Sequence, residues 1–344
     1  MKPILSVSDL RVCFETNGGS IYAVNDLNFE IHSGETLAVV GESGCGKSAA
    51  MLAILGLLPK NISNISGHAF FSEKETYVDL IGSSAHELNK FRGKQIGIVF
   101  QDSLRALNPV LTIGEQICDV LRTHLALDKK AARNRAIELL DLVGISQPYK
   151  RFSYYPHMFS GGMRQRVMIS IAISCSPKLL IADEPTTALD VTIQSQIIEL
   201  VGRLKQDMKM SVIWITHDLG VVAGIADRVM VMYAGMDVEN SPVYELYENA
   251  QHPYTRALLG SIPNITEKVQ ARLTSISGLP PDLNFTPFHC QFASRCPHAL
   301  SKCWKNMPLN YEIIPQHFTK CFYDVQNKCI REEAIYKTNN SKTA

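Results

Sequence analysis

The most constraining feature of the sequence is a glycine-rich segment, Gly41–Ser48, which reads Gly-Glu-Ser-Gly-Cys-Gly-Lys-Ser. It matches the phosphate-binding pattern that ends in a lysine and a hydroxyl residue. An apolar, β-branched run at 36–40 precedes it, and an apolar, helix-favouring run at 49–58 follows it as far as Pro59. A buried strand, a glycine loop and a helix are the context that this motif requires. The chain is therefore predicted to bind a phosphorylated nucleotide in an α/β fold.

Each residue type in this loop has a physical role in holding phosphate. The glycines let backbone N–H groups turn inward, toward phosphate oxygens, at the N-terminus of the following helix. The lysine amine can reach the β- and γ-phosphates, and the serine hydroxyl can ligate Mg²⁺. We therefore expect nucleotide contacts along the whole loop, from Gly41, Glu42, Ser43, Gly44, Cys45, Gly46, Lys47 and Ser48.

A pair of acids, Asp183 and Glu184, follows the apolar strand predicted over 178–182. In ATPases with a phosphate loop, an acid at a strand end coordinates Mg²⁺, and a second acid beside the γ-phosphate can orient the attacking water. We expect Asp183 in the first role and Glu184 in the second. By itself such a pair is more often a helix cap or a solvated loop, so the prediction depends on the phosphate loop.

Three more polar motifs occur at the ends of predicted elements. Ser160, Gly161 and Gly162 open a helix, where a hydroxyl and backbone N–H groups can face an anion, although an ordinary serine cap has the same sequence. Gln101 and His217 each follow an apolar strand. A lone histidine in such a place is usually structural or solvated. These motifs therefore indicate a function only when they are taken together with the phosphate loop and the acid pair.

The set, in its order along the chain, resembles the motifs of the ATP-binding cassette ATPases across residues 4 to about 240. The resemblance implies an α/β fold with a parallel central sheet, an antiparallel β subdomain and a helical subdomain. The corresponding motifs are the Walker A loop Gly41–Ser48, the Q-loop Gln101, the signature Ser160–Gly162, the Walker B Asp183 with the catalytic Glu184, the D-loop Thr187–Asp190 and the switch histidine His217.

The resemblance also implies roles around bound ATP and Mg²⁺. Glu184, His217 and Gln101 are expected to be catalytic, with His217 hydrogen-bonded to the γ-phosphate. Ser48, Gln101 and Asp183 are expected around Mg²⁺.

The signature and the D-loop are expected to add nucleotide contacts, through Ser160, Gly161, Gly162 and Asp190. The signature departs from the usual Leu-Ser-Gly-Gly-Gln only in its outer residues, which are Phe159 and Met163 here. The residues that face phosphate are kept, so ATP binding is still expected.

In this family an aromatic ring near the end of the first strand stacks on adenine. Phe14 stands at about that place, and Tyr22 is the alternative. Either ring could instead be an ordinary core aromatic.

Length and composition limit the class of protein. The 344 residues allow about two domains, and a net charge of +1 gives no basic field that would favour a nucleic-acid partner. No apolar run has the length of a membrane span, and the N-terminus lacks a signal-peptide core. We expect a peripheral protein on the cytoplasmic face of the inner (plasma) membrane.

The composition changes after about residue 245, where prolines punctuate the chain and periodicity fades. We predict a nucleotide-binding domain at 1–245, with its helical subdomain at about 104–165, a loop-rich extension at 246–330 and a disordered tail at 331–344. The segments 251–259 and 277–281 resemble the C-terminal extension of oligopeptide and dipeptide importer ATPases.

Four cysteines crowd into this extension: Cys290, Cys296, Cys303 and Cys321. Four thiolates can hold Zn²⁺ or a [4Fe–4S] cluster. Their spacing lacks the close pairs of zinc ribbons, and the resemblance includes members with a cluster at matching positions. We favour the cluster, with zinc and plain reduced thiols as the alternatives.

Assembly and substrate are implied by the resemblance alone. In this family the Walker A loop of one subunit and the signature of another complete each catalytic site, head to tail. The expected partners are a second, related ATPase subunit, two transmembrane permease subunits and, through them, an extracytoplasmic solute-binding protein. The expected function is ATP-driven import of dipeptides or oligopeptides. Nickel import by the same branch and non-transport work, in DNA repair or at the ribosome, are the alternatives.

Overall fold

The computed structural model describes residues 2–73, 76–187, 189–262 and 276–331. Its strands are β1 (Pro3–Thr16), β2 (Gly19–His32), β3 (Thr36–Val40), β4 (Ser63–Glu73), β5 (Thr76–Asp79), β6 (Ile96–Val99), β7 (Leu179–Asp183), β8 (Ser211–Thr216), β9 (Arg228–Tyr233), β10 (Met236–Pro242), β11 (Tyr311–Ile314), β12 (His317–Thr319), β13 (Tyr323–Asp324) and β14 (Cys329–Ile330). Its α-helices are α1 (Lys47–Ile54), α2 (Ala85–Phe91), α3 (Ser103–Ala106), α4 (Ile113–Leu125), α5 (Lys129–Leu142), α6 (Pro148–Arg151), α7 (Gly161–Ala172), α8 (Val191–Met208), α9 (Leu219–Val222), α10 (Val243–Asn249) and α11 (Pro253–Gly260).

The central sheet sets the position of the site. Its strand order is β11-β12-β10-β9-β3-β8-β7-β6, and the five strands from β9 to β6 run parallel. Every residue of β3 and β8 is buried, as expected for strands covered on both faces. Because parallel strands share one carboxyl edge, the loop after β3 and the acids after β7 emerge side by side.

A second, antiparallel sheet with the order β2-β1-β4-β5 covers α1. The long strands β1 and β2 form a hairpin around residues 17–18. Leu5, Val24 and Phe29 of this sheet join Met51 and Ile54 of α1 in one buried core. This packing holds α1, and so the loop that precedes it, against the edge of β2.

The helical part packs on the other side of the central sheet. Ile117 and Leu121 of α4 share a buried core with Leu139 of α5 and Val167 of α7. Both α4 and α5 begin at residues whose side chains cap them, Thr112 and Asp128. No helix in the described ranges is both long enough and apolar enough to cross a bilayer.

The C-terminal part is joined to the central sheet by strand pairing, because β12 lies antiparallel to β10. Tyr233 of β9, Tyr254 of α11 and Phe292 form an aromatic cluster, with ring centroids 4.6 to 5.4 Å apart. Arg331 is buried, and its guanidinium donates to Gln251 Oε1 at 2.6 Å. Residues 332–344 of the expected tail lie outside the described part of the chain.

Candidate active site

A cleft of about 280 Å³ opens where the phosphate loop meets the carboxyl ends of the parallel strands. Its walls come from β2, the loop, the start of α1 and the residues that follow β6 and β7. The lining residues are Ala23, Ser43, Gly44, Gly46, Lys47, Ser48, Ala49, Gln101 and Glu184. Seven of these nine residues lie in the segments that the sequence predicts for nucleotide contact or catalysis, namely five loop residues together with Gln101 and Glu184.

The backbone of the loop depends on glycine at two close approaches. Gly46 has a φ of +98°, and a Cβ atom there would lie 2.2 Å from the carbonyl oxygen of Ala23. A Cβ at Gly41 would lie 2.2 Å from the carbonyl oxygen of Met232. The loop is thus pressed against β2 on one side and β9 on the other, with no room for a side chain.

Lys47 is buried inside this loop. Its amine donates to the carbonyl oxygens of Gly41 at 2.8 Å and Glu42 at 2.9 Å. Only 4% of the residue is exposed. The amine also lies 3.7 Å from Cys45 Sγ. A buried ammonium with these neutral partners is well placed to gain an anionic one, such as a phosphate group.

The hydroxyl of Ser48 donates to Asp183 Oδ1 at 2.8 Å, which joins the start of α1 to the end of β7. Burial raises the pKa of Asp183, the hydrogen bond from Ser48 opposes that shift, and the neighbouring Glu184 adds to it. Hydroxyl and carboxylate oxygens are the hard ligands that Mg²⁺ prefers. The two residues therefore fit the magnesium role expected of them.

Glu184 is surrounded by three polar groups that approach the same carboxylate oxygen, Oε2. Gln101 Nε2 donates to it at 3.0 Å, Thr187 Oγ1 donates at 2.9 Å, and His217 Nδ1 lies 3.4 Å away. The backbone of Glu184 has a φ of +44°, which is uncommon for a residue with a long side chain. The structure thus brings together all three residues expected to be catalytic.

Thr187 was not predicted as a site residue, although it lies in the expected D-loop. Its backbone N–H also donates to the carbonyl oxygen of Glu184, at 3.2 Å. The available signal was the three-residue spacing, which lets a turn return the hydroxyl to the acid.

The signature and Asp190, at the end of the D-loop, lie outside this cleft, whereas Thr187, at the start of the D-loop, contacts Glu184. The side chain of Ser160 accepts from Met163 N and caps α7, while Asp190 accepts from Ile193 N and caps α8. A Cβ at Gly162 would lie 2.7 Å from Ile193 Cγ2. In the described part of the chain, neither segment lines the cleft, and both Ser160 and Asp190 are exposed.

Neither candidate for the adenine ring lines the cleft among the described residues. Phe14 is half-buried and packs against the core beneath the antiparallel sheet. Tyr22 is also half-buried, and its backbone N–H donates to Leu283 O at 2.7 Å. Ala23, the next residue, is the part of β2 that reaches the cleft.

The four cysteines of the extension lie close enough to affect one another electrostatically. Burial raises the pKa of Cys290 and of Cys321 to about 12, and neighbouring cysteines add to both shifts. Without a bound metal these environments favour neutral thiols, and a metal would have to displace their protons on binding. Within the residues that the structure describes, no three His, Cys, Asp or Glu side chains are arranged to hold a metal ion. The expected [4Fe–4S] or zinc site therefore has no support from this geometry.

The fold and the cleft together define an ATPase with a phosphate loop, in which a β3–loop–α1 unit faces acids at the end of β7. Two family descriptions match the sequence: ABC transporter over residues 24–187, and oligopeptide/dipeptide transporter, C-terminal region, over residues 238–303. The chain belongs to the ABC transporter family, as an ATPase that carries this C-terminal region.

Two of the similar proteins match over nearly their full length. The dipeptide transport ATP-binding protein DppD of Bacillus subtilis is 47% identical over 95% of this chain and 96% of its own. The oligopeptide transport ATP-binding protein OppD of Escherichia coli is 47% identical over 94% of each chain. Among solved structures, the dimeric ATP-binding cassette MJ0796 bound to ADP and Pi is 27% identical, with a TM-score of 0.61, and covers 70% of this chain and 98% of its own.

Proposed function

We propose that this chain is the ATP-hydrolysing subunit of an ABC importer for dipeptides or oligopeptides. The observation that carries the proposal is the convergence of Lys47, the Ser48–Asp183 pair and the Glu184 cluster on one cleft. The peptide class is supported by the names of the relatives and by the matched C-terminal region. A nickel importer is the alternative within the same branch.

The proposed chemistry follows from the positions of these side chains. The N–H groups of the loop and the Lys47 amine hold the phosphates, and the Glu184 carboxylate takes a proton from a water molecule as its oxygen attacks the γ-phosphorus. The bond from that phosphorus to the bridging oxygen then breaks, giving ADP and phosphate. Gln101, Thr187 and His217 hold the carboxylate in place for this transfer. Mg²⁺, held by Ser48 and Asp183 with Gln101 nearby, would neutralise charge on the phosphates.

We further propose that a second ATPase subunit completes the site. Ser160, Gly161, Gly162 and Asp190 lie outside the cleft of their own chain, so they are available to an ATP molecule held by a partner. Closure of such a dimer on ATP and its opening after hydrolysis would move two permease subunits. This arrangement would place the chain at the cytoplasmic face of the membrane, where a solute-binding protein outside the cell acts through the permeases. The proposed domains are 1–245 and 246–330.

The phosphate site is tested by changing its lysine. Lys47→Ala is expected to abolish tight ATP binding in an equilibrium titration. Lys47 is the one cationic residue of Gly41–Ser48, so the variant loop has no positive side chain to hold the phosphates. Lys60→Ala is the matched control, since Lys60 is exposed and lies after α1. Unchanged ATP affinity in Lys47→Ala would remove Gly41–Ser48 from the nucleotide site.

The transport claim is tested in cells whose copy of the gene is disrupted. Uptake of a radiolabelled tripeptide is expected to be lost and to return with the wild-type gene but not with Glu184→Gln. Purification of the tagged chain from solubilised membranes is expected to bring two multi-span permeases and a sister ATPase. Normal peptide uptake combined with lost nickel uptake would favour a nickel importer. Recovery of the tagged chain with ribosomes or DNA-repair proteins, and without permeases, would contradict a role in transport.

We retain the [4Fe–4S] cluster as a proposal for the four extension cysteines, which rests on their spacing in the sequence and on the family resemblance. Anaerobic purification followed by iron and acid-labile sulfide analysis is expected to find about four of each per chain, as a cluster of this type requires. One zinc ion per chain would instead indicate a zinc site, and the absence of both metals would indicate plain reduced thiols.

The adenine contact also remains a proposal. Phe14→Ala is expected to weaken ATP binding more than Tyr22→Ala, because stacking is lost only with the ring that covers the base. A larger effect in Tyr22→Ala would exchange the two assignments.

A further inference from the structure

The C-terminal extension holds the phosphate loop through one arginine. Arg295 NH1 lies 2.7 Å from Glu42 Oε2, and NH2 lies 2.9 Å from Glu42 Oε1. These two bonds form a bidentate pair, the strongest geometry that a guanidinium and a carboxylate adopt. Only 3% of the arginine side chain is exposed, so solvent screens the pair weakly.

Other groups fix the same guanidinium on its remaining sides. Its Nε donates to the carbonyl oxygen of Ser277 at 3.0 Å, and NH1 also lies 3.3 Å from the hydroxyl of Tyr233. The guanidinium carbon stands 5.9 Å from the ring centre of Phe292. Hydrogen bonds from Arg295 to Glu42 raise the pKa of the arginine further, so the group stays charged throughout the physiological range.

The backbone of Glu42 is held as firmly as its side chain. Its N–H donates to the hydroxyl of Tyr254 at 2.9 Å, and its carbonyl oxygen accepts from Lys47 Nζ at 2.9 Å. Arg295 and Tyr254 both belong to the extension, whereas Lys47 is the cation of the phosphate site. Glu42 therefore connects the extension with the lysine that is expected to hold phosphate.

The negative charge of Glu42 links the Arg295–Glu42 pair to ATP binding. The carboxylate belongs to the loop that receives a polyanionic triphosphate, and an unpaired negative charge there would repel it. The arginine supplies the compensating charge from a part of the chain 253 positions away.

We propose that Arg295 is a positioning residue for the ATP reaction, which neutralises Glu42 and fixes the residue whose carbonyl oxygen accepts a hydrogen bond from Lys47. This inference rests on the proposed function of Gly41–Ser48 as the phosphate site. It makes the C-terminal extension a contributor to ATP binding.

The test is a double-mutant cycle on nucleotide affinity, measured on the full-length chain with a fluorescent trinitrophenyl derivative of ATP. Arg295→Gln is expected to raise the dissociation constant about tenfold, since a charged, buried hydrogen-bonded pair is broken. The same change made in a Glu42→Gln background is expected to have less than about a threefold effect, because the repelling carboxylate is then absent. Arg295→Lys, which keeps the charge but loses the fork, is expected to lie between these values.

Matched controls separate positioning from simple loss of fold. Arg256→Gln removes an exposed arginine of the same extension and is expected to leave the dissociation constant unchanged. Thermal unfolding without nucleotide is recorded for every variant, and Arg295→Lys replaces Arg295→Gln in the cycle where the latter does not fold.

Two results would overturn the inference. One is a wild-type dissociation constant in Arg295→Gln, and the other is an equal effect of Arg295→Gln in both backgrounds. Lys47→Ala in the same assay distinguishes this failure from that of the proposed function. If Lys47→Ala binds the probe normally, the phosphate site itself is wrong, whereas a loss confined to Lys47→Ala refutes only the role of Arg295.

Discussion

Glu184 lies at the point where three separate parts of the chain meet. Gln101 follows β6, His217 follows β8, and Thr187 lies in the turn after the acid itself. Each approaches the same carboxylate oxygen, so contacts within the protein itself fix the orientation of the Glu184 carboxylate. The positive φ of Glu184 adds a backbone strain of a kind that is found mostly at functional sites.

This arrangement predicts a sharp separation of binding from turnover in Glu184→Gln. The amide keeps the shape of the side chain but cannot accept a proton, so the rate of phosphate release is expected to fall by about 100-fold or more. The dissociation constant for ATP is expected to stay within about threefold of wild type, since no phosphate contact is removed. Glu248→Gln, an exposed site on α10, is the control. Near-normal turnover in Glu184→Gln would assign proton acceptance to another group.

At the scale of an element, the phosphate loop is shaped by its neighbours as much as by its own residues. Gly46→Ala would place a methyl group 2.2 Å from a backbone carbonyl of β2, at a φ of +98°. We expect a loss of about 2 kcal/mol or more in the free energy of unfolding, together with weakened ATP binding.

The matched control for this prediction is another glycine of the same chain. Gly202 lies within α8, and a Cβ there would meet no atom within 4 Å. Gly202→Ala is expected to stabilise the protein by about 0.5–1 kcal/mol, because alanine favours a helix. Denaturant unfolding of both variants measures the contrast, and equal effects would show that the close approach at Gly46 is not decisive.

The start of α11 predicts a pH effect. Burial lowers the pKa of His252 from 6.5 to about 4; Arg331 acts in the same direction and Glu239 opposes it. At a pH between about 4 and 6.5, His252 binds a proton in the unfolded chain but not in the folded chain. The free energy of unfolding therefore falls as the pH falls through this window, by up to about 1.4 kcal/mol per pH unit.

His252→Asn tests this account, because asparagine can still accept the hydrogen bond that Tyr254 N donates to the histidine ring. Urea unfolding inside and above the window is expected to show a shallower pH dependence than in wild type. His86→Asn, at an exposed position, serves as the comparison. An unchanged slope in His252→Asn would place the acid sensitivity elsewhere.

Elements with strong local signals could be predicted from the sequence. The strands predicted at 36–40 and 178–182 are β3 and β7 of the central sheet, because each is a short apolar run with every residue buried. The helix α2 was not predicted, although Ser84 and Glu87 form a capping box at its start. Its seven residues are too few for a periodicity that could outweigh the β-branched residues around it.

At the scale of the whole molecule, the residues of the site could be predicted and their long-range contacts could not. The order of the motifs predicts that Gln101, Glu184 and His217 share one site. Nothing in the sequence indicates that Arg295 pairs with Glu42, since the contact depends on how the extension folds back over the loop. For the same reason, spacing alone could not show that the extension cysteines sit in environments that favour neutral thiols.

The position of the signature predicts how catalysis depends on assembly. Ser160 is exposed and outside the cleft of its own chain, so Ser160→Arg is expected to leave ATP affinity of the isolated chain unchanged. In the assembled transporter the same variant is expected to lose about 100-fold in turnover, because the added side chain blocks the anion site offered to the partner. Ser195→Arg, on the exposed face of α8, controls for the added charge. Weakened ATP binding by the isolated Ser160→Arg chain would instead mean that the signature acts within its own subunit.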